Sequence, residues 1–195
     1  MNTVITVDSY ALEAAEATVD PAVFESVTRS LASGAVDETN AAVIATALRL
    51  NHLVADAMEM GTSVAALARE AKKELGMRDG RLIALLASVT SDDPIARATV
   101  NRENHERVAT ALSWVERAMT ARRIPAVEAM YAADAKRYGK SPYAQAVAVG
   151  VTNDRLLGAL RQVGSGERAI DARNVEIVER ALRLVAGLAR ASRRR

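Results

Sequence analysis

No cysteine occurs in the 195 residues. Disulfides, thiolate metal sites and cysteine nucleophiles are therefore excluded, and the absence fits a reducing compartment. Aromatic residues make up only 3% of the chain, with Trp114 and Phe24 alone of their kinds. Any core must therefore be aliphatic, which favours helices. No apolar run approaches the roughly 18 residues of a membrane-crossing helix. The opening MNTVITVDSY has no basic residue, so it lacks the start of a secretion signal. These absences lead us to expect an intracellular, cytoplasmic protein that makes no use of a membrane. Chemistry-bearing patterns are missing too. The two histidines, His52 and His105, stand far apart, no metal-ligand spacing is present, and no glycine-rich phosphate loop of the usual patterns occurs. Neither a catalytic residue, a metal site nor a cofactor is expected.

Apolar residues form half of the chain, enough to bury a core in one large or two small domains. Arginine outnumbers lysine 22 to 4. The net charge is only +2, but it is unevenly spread. Residues 1–40 hold one basic and seven acidic side chains, residues 41–125 hold 12 and 10, and residues 126–195 hold 13 and 7. A positive C-terminal end is what a nucleic-acid-binding surface requires.

Along the chain, Val4, Ile5 and Val7 alternate weakly and read as a short strand or an arm. Residues 10–18 and 21–33 read as helices, the second opened by Asp20-Pro21 and stopped by Gly34. Residues 38–60 form an amphipathic helix with Val43, Ile44, Ala47, Leu48, Val54, Ala57 and Met58 on one face, ended by Gly61. Met58 and Met60 read as core filler. Val36-Asp37-Glu38-Thr39-Asn40 faintly resembles a motif of helical-bundle cobalamin adenosyltransferases, but the rest of that family's nucleotide-binding pattern is missing. MTARRIPA (119–126) reads as the end of a long helix and a short linker. Residues 126–138 read as a further helix with Val127, Met130, Tyr131 and Ala135 inward.

The stretch Ala146 to Leu160, AVAVGVTNDRLLGAL, has the layout of two helices crossing through a tight turn. Ala146 supplies the small side chain at the crossing and Gly150 the positive φ of the turn. Val151, Leu156 and Ala159 supply apolar knobs. Ser141-Pro142 marks the N-cap and first residue of the first helix, and Thr152 the N-cap of the second. Together with Arg161 to Val185, these residues resemble the helix-turn-helix regulators of the Cro/phage-repressor type and the lac-repressor headpiece, over roughly residues 127–185. A closing helix is expected from Asp171, burying Val175, Val178, Ala181, Leu182 and Val185.

An earlier stretch echoes this one. Leu75-Gly76-Met77-Arg78-Asp79-Gly80-Arg81-Leu82 aligns with Val149 to Leu156 at an offset of 74. Val100, Asn104, Glu106, Val108, Ala111, Leu112 and Val115 align with Ile170, Asn174, Glu176, Val178, Ala181, Leu182 and Val185 at an offset of 70. Such agreement in two blocks points to an internal duplication. The first copy departs from the pattern: Lys72 stands four before Gly76, where a small residue belongs, and Gly80 falls inside the second helix of the pair, at a cost of about 1 kcal/mol against alanine. The expected protein is all-α. It comprises an acidic segment (1–40), a degenerate module (41–123) and a second module with a basic tail (124–195).

The resemblance implies binding of double-stranded DNA, with the helix from Thr152 entering the major groove. It places Thr152, Asn153, Asp154 and Arg155 at base edges, with Leu157, Gly158 and Arg161 further along. Asn153 suits adenine, and Arg155 or Arg161 suits guanine or a phosphate. Asp154 suits cytosine N4, or serves only to repel phosphate. Gly158 permits close approach. Ser141, Tyr143, Lys136, Arg137 and Lys140 are phosphate candidates, as are Arg78, Arg81, Lys72 and Lys73 in the first copy. Arg155 and Arg161 also fit a merely solvated helix face. Arg193–Arg195 suits either a DNA-contacting arm or a solubilising tail. The implied function is sequence-specific repression at the nucleoid, by a monomer using both modules or by a homodimer on half-sites about 34 Å apart. The rival expectation is an assembly or adaptor module built on the same geometry.

Overall fold

The structure, a computed structural model, describes residues 9–31 and 36–192. Val4, Ile5, Val7, Gly34 and Arg193–Arg195 lie outside the described residues. Among those described, the regular structure is helical: α1 (Ser9–Ala15), α2 (Pro21–Leu31), α3 (Glu38–Glu59), α4 (Val64–Glu74), α5 (Gly80–Val89), α6 (His105–Tyr138), α7 (Pro142–Ala148), α8 (Asp154–Gly164) and α9 (Val175–Ser192). The protein is all-α.

Two compact units divide at Met119/Thr120, inside α6. No linker intervenes at 119–126: α6 runs through Pro125 as one 34-residue helix. Proline removes a single N–H and therefore a single backbone bond, the one to Ala121. The residues on either side, rich in alanine and arginine, hold the helix on both sides of it.

The first unit is built on α3. Asp37 caps it, its side chain accepting from the N–H groups of Thr39 and Asn40. Val43, Ile44, Ala47, Leu50 and Ala57 are buried, and Gly61 ends the helix at φ +66°. Met58 is 71% exposed, contrary to its expected place in the core, whereas Met60 is half-buried against it. The acidic segment does not stand apart. Leu12, Ala15, Val19, Val23 and Val27 share the core with α3 to α6. An isolated parallel bridge joins Val19 to Val100: the Asp20 N–H donates to the Val100 carbonyl and the Val100 N–H to the Thr18 carbonyl. Arg49 of α3 grips Glu116 of α6 through two 2.7 Å bonds, and its pKa is raised by that hydrogen bond. By length and mean hydropathy α3 qualifies as a membrane-crossing helix, but 44% of its apolar window is buried inside the structure.

The second unit closes Val127, Ala146, Val151, Leu156, Leu160, Ile170, Val175, Val178, Ala181, Leu182 and Val185 into one core. The five residues expected inward on the closing helix are all buried. Its regular part starts at Val175 rather than Asp171, because residues 171–174 form a capping turn. There the Asp171 carboxylate accepts from the N–H groups of Arg173 and Asn174. In return Asn174 Oδ1 accepts from the Asp171 N–H, and Asn174 Nδ2 donates to the Ala169 carbonyl. Asn101 and Asn104 make the same set with Glu103 and Thr99 before α6.

Candidate nucleic-acid interface

α7 and α8 are joined by the five residues 149–153. Ser141 caps α7, its Oγ accepting from the Ala144 N–H at 3.2 Å, and Pro142 begins the helix. The exit is a Schellman turn. Gly150 has φ +81°, its N–H donates to the Val147 carbonyl, and the Val151 N–H donates to the Ala146 carbonyl. A side chain at that φ is costly, so glycine is required. Ala146 and Val151 are both buried at the turn. Gln145, also buried, donates from Nε2 to the carbonyls of Asp134 and Lys140, tying α7 to the end of α6.

α4 and α5 repeat this layout with a five-residue turn and Gly76 at φ +80°. The small residue is displaced by one: Ala71, not position 72, is fully buried and accepts from Met77. Lys72 is exposed, so it takes no part in the crossing. Gly80 is the first residue of α5 behind the cap Asp79, so the expected mid-helix penalty does not apply.

The N-cap of α8 is Asn153 rather than Thr152. Its Oδ1 accepts from the Leu156 N–H at 3.1 Å, and Thr152 stays exposed in the turn. Asparagine ranks above threonine at this position, which explains the shift by one residue. Asn153 therefore spends one acceptor site holding the helix.

With a turn of 3.6 residues, Leu156 and Leu160 go to the core. Asp154, Arg155, Arg161 and Gln162 fall on the opposite, exposed face. Gly158 lies at the centre of that face with open space around its Cα. The result is a helix surface with a bare middle, flanked by two arginines, a carboxamide and the Asp154 carboxylate. Gln162 escaped the sequence reading, although its spacing of four from Gly158 was sufficient to find it. On α5 the same positions are Gly80, Arg81, Ala84, Ala87 and Ser88, a face with one cation.

The other candidates divide by burial. Lys136, Arg137 and Lys140 are exposed around the end of α6, with the Arg137 guanidinium 5.5 Å from the Tyr138 ring centroid. Lys73, Arg78 and Arg81 are exposed in the first unit. The Lys72 ammonium reaches the start of α5, 3.6 Å from where a Cβ on Gly80 would lie. Tyr143, expected at phosphate, is half-buried against the core of the second unit, because position 143 turns its ring toward the α7 packing face. Ser141 is exposed, with its Oγ engaged as the cap.

Beside the start of α8 lies a cavity of about 360 Å³ lined by Asn153, Arg155, Leu156, Glu176, Ile177 and Arg180. Arg180 of α9 and Arg155 of α8 both line it. These two are 25 positions apart, and no periodicity in the sequence links them. Charge divides with the units: residues 120–195 hold 15 basic and 7 acidic side chains, net +8, and residues 1–119 hold 11 and 17, net −6.

Among the described residues no three His, Cys, Asp or Glu side chains gather in a way that could hold a metal ion. His52 is exposed, and His105 is half-buried with Nδ1 3.0 Å from the Arg102 carbonyl. The Asp37–Asn40 stretch is spent on structure. Asp37 caps α3, and Asn40 bonds Ser26 and Arg102. Compared with known proteins, the chain matches no family model, no curated protein and no solved structure.

Proposed function

We propose that the second unit binds double-stranded DNA as a helix-turn-helix module, laying the exposed face of α8 in the major groove, and that the protein is a sequence-specific transcriptional repressor of the cytoplasmic nucleoid. The observation that carries this reading is the α8 face itself. Arg155, Arg161 and Gln162 surround the bare Gly158 at the end of a capped, glycine-turned helix pair, within a unit of net charge +8. Arginine pairs bidentately with guanine O6/N7, and glutamine with adenine. A glycine at the centre lets the helix backbone approach base edges. Lys136, Arg137 and Lys140 supply phosphate contacts that fix register without reading sequence. Thr152 and Asp154 sit at the leading end of the helix, where a carboxylate selects cytosine N4 and rejects phosphate.

The first unit has a positive-φ glycine at the equivalent place between two capped helices and the same closing-helix hydrogen bonds, which supports a tandem duplication. Its net charge of −6 and the single cation on α5 argue that it does not read DNA. Arg78, Arg81, Lys72 and Lys73 then serve solubility. Reading therefore falls to one module per chain, and a palindromic site with half-sites about 34 Å apart requires two chains. No role for a metal, cofactor or catalytic residue enters this reading.

The test is selection of bound fragments from a random duplex pool, followed by affinity against salt. A regulator neutralising several phosphates loses affinity with a log–log slope near −0.9 per contact. Arg155→Ala and Arg161→Ala should each weaken the preferred site by about 1–3 kcal/mol. No enrichment from the pool by the folded protein would refute the reading.

A further inference from the structure

The most exposed large apolar side chain among the described residues is Ile95, 97% exposed in the loop between α5 and α6. That loop is not slack. The Ile95 N–H donates to Asp93 Oδ1 at 3.0 Å, the Asp93 N–H to Ser91 Oγ at 3.2 Å, and the Ala96 N–H to the Asp93 carbonyl at 3.1 Å. Ser88 Oγ and the Ser88 carbonyl bind the far side of the loop, through the Ala96 carbonyl and the Ala98 N–H. The isoleucine is thus held outward on an ordered turn, beside Asp92 and Asp93. The corresponding loop of the second unit is four residues shorter, since the sequence offset falls from 74 to 70 across it, and there Ser165 and Gly166 form the turn.

The cavity beside α8 has the opposite character. Leu156 and Ile177 supply the apolar part of a lining that is more polar than apolar, and Arg155 and Arg180 line it with positive charge. Neither arginine is ion-paired among the described residues, whereas the cavity's one carboxylate, Glu176, has Arg123 at 3.6 Å. Its volume of about 360 Å³ accepts a branched aliphatic side chain.

We propose that Ile95 of one molecule docks in the α8–α9 cavity of a second copy, with Asp92 and Asp93 facing Arg155 and Arg180. An acidic unit carrying the knob and a basic unit carrying the socket make copies of this chain the complementary partner. The contact is heterologous, so it propagates head to tail rather than closing as a symmetric dimer. It is a small, salt-sensitive interface and calls for high concentration or neighbouring molecules. It does not rest on the DNA-binding reading, and its test contains no DNA.

Sedimentation velocity of the full chain from about ten to a few hundred micromolar at low salt should show association that grows with concentration and fades with added salt. Ile95→Asp should lower the association constant by about tenfold to a hundredfold, the worth of burying one isoleucine, and Arg180→Glu should lower it by setting a carboxylate against Asp92 and Asp93. Both positions are exposed, so both variants keep the wild-type circular dichroism. The decisive arm is the mixture. The Ile95→Asp molecule keeps its socket and the Arg180→Glu molecule keeps its knob, so together they form pairs and nothing larger. Asp92→Arg combined with Arg180→Asp should recover association that each loses alone. A protein monomeric at every concentration, association that survives both variants, or a mixture that stays monomeric would each overturn the proposal.

Discussion

Replacing Asn153 by alanine or by serine separates two roles held by one side chain. Asn153 Oδ1 accepts from the Leu156 N–H at 3.1 Å and satisfies one of the donors left open at the start of α8. Alanine abolishes that bond, at a cost of about 1 kcal/mol. Serine caps nearly as well as asparagine, so it keeps the bond and removes only the carboxamide. Amide hydrogen exchange along α8 reads the first role. In Asn153→Ala the Leu156 amide should exchange about fivefold faster, the equivalent of 1 kcal/mol, and in Asn153→Ser it should stay near the wild-type rate. Binding to the selected duplex reads the second role. If the carboxamide contacts a base, both variants lose about 1–3 kcal/mol of affinity for the preferred site and little for random duplex. If Asn153 serves only as a cap, the serine variant binds as wild type. Equal exchange rates in the two variants would refute the cap assignment. Wild-type discrimination in Asn153→Ser would refute base contact by this residue.

Other outcomes follow from the second unit. A Cβ on Gly164 would lie 2.8 Å from Tyr131 Oη. Gly164→Ala should therefore be neutral or destabilising in the wild type, yet stabilise Tyr131→Phe by up to about 1 kcal/mol through helix propensity; additive effects in denaturant melts would disprove the contact. Gly150→Ala, at φ +81°, should cost about 1–2 kcal/mol, read as a lower melting temperature. Loss of the turn should weaken DNA binding in parallel. The Asp171 carboxyl is held below its usual pKa, first by the Arg173 N–H and also by Arg168, against the effect of burial. A depressed folded value stabilises above the unfolded pKa of about 3.9 and is lost as pH falls through the lower folded value. Acid unfolding of Asp171→Asn, followed by circular dichroism below about pH 4, should show less dependence on pH than the wild type; an unchanged profile would refute the assignment.

Much of the fold was legible because it is encoded within a few residues. The helical period placed Val175, Val178, Ala181, Leu182 and Val185 inward. Gly61 marked a helix end, Gly150 a positive-φ turn and Ser141-Pro142 a helix start. Capping, turn geometry and amphipathic period are local, so one chain suffices to read them. The two blocks of internal similarity were likewise visible as a repeated pattern of apolar and capping residues.

What the sequence alone could not supply depends on which distant side chains meet. Periodicity put Met58 on the apolar face of α3, but no neighbour covers it. Pro125 marked a break, yet the helix carries on through it. Acidity set residues 1–40 apart, and burial of Val19, Val23 and Val27 with the Val19–Val100 bridge drew the described part of that segment into the first core. The approach of Tyr131 to Gly164 and the shared cavity of Arg155 and Arg180 join residues 33 and 25 positions apart. The sequence by itself determined the helical character, the start of α7 at Ser141-Pro142 and the inward face of α9, because those follow from backbone geometry and burial within a turn or two. Only the tertiary structure decided which arginines share a cavity and which apolar side chains stay in water, because these depend on packing between segments that carry no record of each other in their local pattern.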